Sequence, residues 1–240
     1  MSTAREKLDE IVREGLAVDL YYADEANSLY SEIGQNADEI NTATFGAFFG
    51  GLQLILGRYL ILSTARLFDA PNSKYQIRSL PSAILLLRNN RETLAIEQRP
   101  GLLNSLVRRG AVLSELRKLT DSQLTDFVVA FFERQLSTDN SIGIANAQAF
   151  AALKTHRDKL IAHSEAVRPE ELPKATFAEI DALLSVVRSF IAAVGFGYLS
   201  TAYEDDSGYN FMASDAKRST TSMKRLLVQV AAIRAKSDGA

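Results

Sequence analysis

Six large apolar side chains, Leu124, Phe127, Val128, Phe131, Phe132 and Leu136, fall at i, i+3, i+4, i+7, i+8 and i+12. That is the 3.6-residue repeat of a helix with one buried face, and a strand with its period of two could not bury the same set. Thr120 with Gln123 three residues on supplies a capping box for its start. Similar signals recur along the chain. Leu8, Ile11, Val12 and Leu16 open an N-terminal helix over 1–32, and a second is expected over 41–68, stopped at Asp69, Pro71 and Asn72. Pro81 stands near a first turn, where a missing N–H costs little, and leads into the apolar stretch 84–87. Residues 88–101 carry break signals, Asn89-Asn90 and Pro100-Gly101. Further helices are expected over 102–119, 145–162 and, behind the Thr176/Glu179 capping box, 176–203. Met223, Leu226, Leu227, Val230 and Ile233 mark a terminal amphipathic helix over 215–237. No strand pattern and no internal repeat interrupts this. The fold class that follows is all-α: an antiparallel up-and-down bundle over about 40–203, flanked by the two terminal helices, in a single domain of 240 residues.

Two stretches test a membrane reading. Residues 45–62 are polar only at Gln53 and Arg58, and 183–203 are interrupted only by Arg188. Both approach the length of a bilayer span. The glycines at 46, 50, 51 and 57 and the central polar pair favour helices buried between other helices, so no membrane is expected. The N-terminus has no apolar core and no cleavage pattern, which points to the cytoplasm.

Composition removes several chemistries. There are no cysteines, which excludes disulfide scaffolds, thiol catalysis, iron–sulfur clusters and cysteine zinc sites. The two histidines, His156 and His163, are seven residues apart, roughly 10 Å along a helix, so they cannot clamp one metal ion. No metal and no cofactor is expected. The net charge of −2 hides an uneven distribution: residues 1–40 hold ten acids and three bases, 74–118 nine bases and three acids, and the tail from Ala213 six bases and two acids. The two basic segments would offer a phosphate-facing surface if they came together; as solvated helix faces they would carry no function.

One segment gathers chemistry. Between Lys154 and Glu165, Arg157 points into the apolar stripe of Phe150, Leu153, Leu160 and Ile161, within roughly 20° of Phe150 on a helical wheel. A guanidinium keeps its charge, so it must find an anion there. Either Arg157 pairs with a carboxylate, Asp69 being the candidate, while His163 caps the helix end, or Arg157 holds a phosphate oxygen while His163 moves protons.

The run Arg157-Asp158-Lys159-Leu-Ile-Ala-His163 resembles the arginine–polar–histidine signature of the HEPN superfamily. With His156 in front, and with Arg66-Leu-Phe-Asp69 closing an early apolar helix, it is similar to the abortive-infection AbiU-like branch. The resemblance implies a helical bundle that dimerises with two motifs facing one another. Many members are metal-independent endoribonucleases of phage defence or toxin–antitoxin systems, and others bind nucleotides or proteins without catalysis. Carried onto this chain, Arg157 would stabilise the phosphorane, His163 would be general acid or base, and Asp158 would orient the pair. His156 and Lys159 would bind RNA or phosphate, and Arg66 and Asp69 remain candidates for structural pairing. The implied partners are RNA or a nucleotide, a second copy of the chain, and an antitoxin or defence protein. Two departures stand out. Arg157 and His163 differ in helical phase by ~120°, so a straight helix would not aim both at one phosphate. Ala166 stands three residues after the histidine, where one toxin subgroup carries a tyrosine.

Overall fold

The computed structural model describes residues 2–162, 171–205, 207–208 and 210–237. Among them every regular element is helical; an isolated bridge between Glu204 and Asn210 is the one extended pairing. In chain order these are α1 (Ala4–Asp9), a π-helical segment (Glu10–Leu16), α2 (Ala17–Gln35), α3 (Ala37–Thr42), α4 (Gly46–Leu67), α5 (Leu80–Asn89), α6 (Arg99–Arg108), α7 (Leu113–Leu116), α8 (Asp121–Arg134), α9 (Ser141–His156), a second π segment (Arg157–Ala162), α10 (Phe177–Leu199) and α11 (Phe211–Ser237).

Side-chain caps set several starts. Thr120 Oγ1 accepts from Gln123 N at 3.3 Å while Thr120 N donates to Gln123 Oε1 at 2.9 Å. The same reciprocal pair, Thr176 with Glu179, opens α10, and Thr3 with Glu6 opens α1. Ser79 caps α5, its hydroxyl donating onward to the Asp69 carbonyl at 2.6 Å. On α8, Leu124, Val128 and Phe132 are buried while Phe127 and Phe131 pack partly buried against the core.

Helix α10 is the centre of the bundle. Leu183, Val187, Phe190, Ile191, Val194 and Tyr198 lose all solvent contact, and α2, α4, α6 and α9 pack around it. Tyr198 carries its polar end inside, hydrogen-bonded to the Thr125 hydroxyl at 2.8 Å; burial pushes its phenol up to about 12. Arg188 is accommodated by Asp24 and by Asp181, the latter at 3.0 Å. A second cluster joins Ile33 of α2, Ile40 of α3, Phe49 of α4 and Leu227 of α11, with Met223 and Leu56 packed against it.

Two expectations give way. Residues 102–119 are not one helix: α6 ends at Arg108, and Gly110 takes a φ of +94° before α7 begins. Glycine adopts that left-handed conformation without penalty, and it turns the chain out of the helix. Residues 45–62 do not lie between other helices. Helix α4 presses Phe49, Leu60, Ser63, Thr64 and Leu67 inward, yet Phe48 and Ile55 are each 64% exposed and Leu54 57%. Its apolar residues run nearly all round the helix, so no polar stripe in the sequence marks which face points out. Both α4 and α10 are long and apolar enough to cross a bilayer; α10 is mostly enclosed by protein and α4 is not.

The basic excess of 74–118 is largely matched within the fold. Arg78 pairs with Glu10 and Glu14, Arg88 with Glu133, Arg91 with Asp126, Arg99 with Asp121, and Arg108 and Arg109 with the buried Glu204. Along α11, Lys217, Arg218, Lys224 and Arg225 are exposed.

Candidate functional site

Helix α9 and the π segment that continues it lie against α4. The rings of Phe68 and Phe150, 5.6 Å apart, fasten the end of α4 to α9. This contact sets Asp69, two residues past the end of α4, within reach of the π segment. Arg157 opens that segment, its side chain only 16% exposed. Its Nη1 donates to Asp69 Oδ1 at 2.6 Å and its Nε to Asp158 Oδ1 at 2.8 Å. Burial pulls the guanidinium pKa down, but the hydrogen bonds to Asp69 and then Asp158 outweigh it, and the net shift is upward. Arg157 is thus a fixed cation, and among the described residues its Nη2 makes no hydrogen bond.

A second ion pair stands behind the first. Arg66 Nη1 lies 3.4 Å from Asp19 Oδ1, and Asp19 is almost fully buried. Burial raises the Asp19 carboxyl pKa, Arg66 opposes the rise and Asp69 adds to it. Asp19, Asp69 and Arg66 share a cleft of about 370 Å3 with Glu10, Glu14 and Arg78. Gly15 makes the close approach here: a Cβ on it would stand 2.3 Å from Arg78 Cβ. The cleft takes Glu10, Glu14 and Gly15 from the first π segment, Glu10–Leu16, and Arg157, which opens the second, reaches it through Asp69. Such wide turns displace side chains from the α-helical repeat and recur at functional sites.

The remaining candidates separate. His156 turns away from Asp69; its Nε2–H donates to the Pro173 carbonyl at 2.9 Å, and its ring lines an apolar groove with Tyr30, Leu153 and Phe177. Lys159 is half-buried on the π segment. His163 and Ala166 lie outside the described residues. The sequence reading brought Arg157, Asp158 and Asp69 forward and missed Asp19, whose signal was a carboxylate set between the apolar Leu16 and Leu20 of the N-terminal helix.

The sequence profile of the AbiU2 family of HEPN proteins matches residues 5–218. No curated protein and no solved structure matches the chain. The match takes in nearly every described helix and all of the Arg157 segment. By that match, the chain belongs to the AbiU2 abortive-infection branch of the HEPN superfamily.

Proposed function

We propose that the protein is a metal-independent endoribonuclease of phage defence, acting in the cytoplasm as a homodimer with an antitoxin or defence-system partner. The family is one of abortive infection. The observation that carries the finer reading is Arg157, a cation held between Asp69 and Asp158 at the head of a π segment that leads to His163. In the proposed reaction the RNA 2′-hydroxyl attacks the adjacent phosphorus. The P–O2′ bond forms, the P–O5′ bond breaks, and the 5′-oxygen leaves with a proton. His163 takes the proton of the attacking 2′-hydroxyl and gives it to the departing 5′-oxygen, and Arg157 opposes the charge that develops on the phosphorane oxygens. Lys159, on the same π segment, contributes to binding the strand, whereas His156, hydrogen-bonded to the Pro173 carbonyl, stands apart from it.

The dimer reading has support in α4. This helix packs on α9 and on the Arg157 segment, and its outer side leaves Phe48, Leu54, Ile55 and Tyr59 exposed. A second copy would cover that apolar strip and bring two motifs near one another. Ile55→Asp is expected to yield monomers by light scattering at concentrations where the parent chain is dimeric; a monomeric parent sinks this part.

The direct test is cleavage of RNA in EDTA, giving 2′,3′-cyclic phosphate or 3′-phosphate ends and no reaction on all-2′-deoxy substrate. The rate should change with pH in the neutral range, where histidine titrates. Arg157→Ala and His163→Ala should each abolish cleavage while remaining folded. Activity that survives His163→Ala, or that chelation removes, sinks the proposed mechanism; nucleotide or protein binding with no cleavage of RNA would favour a second reading, a non-catalytic helical module. The engagement of Arg157 by two carboxylates is what supports that alternative.

A further inference from the structure

Helices α4 and α9 do not close on one another along their whole contact. With α2 and the start of α10 they leave a groove of about 320 Å3. That volume is within the range of small-molecule sites, about 300–1,000 Å3, and a gap between the helices of a bundle is a common place for one. Its most enclosed side chains, Leu60, Leu153 and Ile180, are nearly out of solvent. The rest of the wall is one connected piece. His156 at the end of α9 holds the Pro173 carbonyl at 2.9 Å, and from there the chain runs through Lys174 and Ala175 to Phe177. The Phe177 ring in turn lies 4.9 Å from that of Tyr30 on α2.

Gly57 keeps this groove open. It stands in the interior of α4, where glycine costs about 1 kcal/mol relative to alanine. Packing does not demand it. Outside its own helix a Cβ at this position would meet only the Tyr30 ring, with Cε2 at 3.5 Å, which is ordinary contact. A longer side chain would instead take up the space between Tyr30 and α4. The charge at the mouth has one sign. No carboxylate is among the described lining residues, and Lys174, exposed at the rim, forms no ion pair among the described residues. His156 stands on the same rim.

An apolar slot with an ammonium group at its mouth and no anion in its wall matches one ligand class. We propose that this groove binds a small amphipathic monocarboxylate, its apolar body between Tyr30 and Gly57 and its carboxylate at Lys174. An aliphatic acid and an aromatic acid share that chemistry, and the groove has leucine and isoleucine as well as ring surfaces for either. It shares no lining residue with the Asp69 cleft, so the proposal does not rest on the endoribonuclease reading.

The test titrates octanoate, phenylacetate, octanol and acetate into the full chain by calorimetry. The variants are Gly57→Leu, which fills the groove without touching its charge, Lys174→Glu, and Lys217→Glu on α11 as a control. Octanoate or phenylacetate is expected to bind, and the tighter of the two identifies the aliphatic or the aromatic acid as the ligand. Gly57→Leu should abolish binding while thermal unfolding shows the chain still folded, since leucine is the better helix former. Lys174→Glu changes an exposed side chain and should weaken binding about fivefold or more; Lys217→Glu should change nothing. The proposal is overturned if neither acid binds, if acetate or octanol binds as tightly as the acids, or if Lys174→Glu leaves binding unmoved. Binding that survives in folded Gly57→Leu overturns it as well. Cleavage of RNA plays no part in the readout, so this proposal and the endoribonuclease reading stand or fall separately.

Discussion

Arg157 and Arg188 are both guanidiniums set into apolar helix faces, yet their removal has different consequences. Arg188→Ala strands Asp24, whose side chain is 6% exposed, with no partner of comparable strength. Breaking a buried pair from one side costs about 3–5 kcal/mol. Arg157→Ala leaves Asp69 and Asp158 at 32% and 44% exposure, where water can take over, so about 1–2 kcal/mol is expected. Denaturant unfolding of the two variants side by side checks the order. Glu204 supplies a pH signature. Burial alone would raise its pKa, but the hydrogen bonds from Arg109 and Arg108 reverse that and hold it below the ordinary glutamate value of 4.5. Its contribution to stability is therefore present above that value and lost as pH falls through the depressed folded one. Glu204→Gln should flatten this part of the acid limb in unfolding curves measured from pH 6 downward. That Arg157 needs an anion could be read from the sequence, because a cation that does not titrate cannot sit in an apolar stripe alone. The Arg66–Asp19 pair could not, since two residues on different helices share no spacing rule.

At the scale of the element, sequence signals were good wherever a local contact decides the outcome. Capping boxes join residues three apart, so Thr120/Gln123 and Thr176/Glu179 are visible without tertiary information, and the amphipathic repeat of α8 follows from one buried face. The failures are where the decisive fact is a torsion or a neighbour. Gly110 looked compatible with a helix continuing to 119, because nothing local announces a φ of +94°. Gly110→Ala should cost about 1 kcal/mol or more by thermal unfolding, since a Cβ is strained in that region. Which side of α4 faces outward depends on where α2, α9 and α10 come to rest. The candidate site was legible on the same terms: Arg157, Asp158 and Asp69 belong to a motif and to a helix stop, whereas the cleft beside them arises only when the first π segment, α2, α4 and the loop after α4 meet.

Across the whole molecule, α2 and α4 are shared by both apolar clusters; α2 packs on α4 and α11 and passes Leu20, Ala23 and Ala26 to one cluster and Ile33 to the other. It is also continuous with α1 through the π segment Glu10–Leu16. A wide turn of that kind holds one residue more than the α-helix would use, so it acts as an insertion fixed into the helix: everything after it is rotated relative to everything before it. Leu8 and Leu20 then reach the core from two phases of one unbroken rod. Deleting Arg13 would remove the extra residue and turn α2 by about 100° without breaking a helix. Far-UV circular dichroism should stay close to that of the parent chain, while the near-UV tyrosine signal collapses and the protein binds an apolar dye. The chain would keep its helices and lose the register by which they recognise one another.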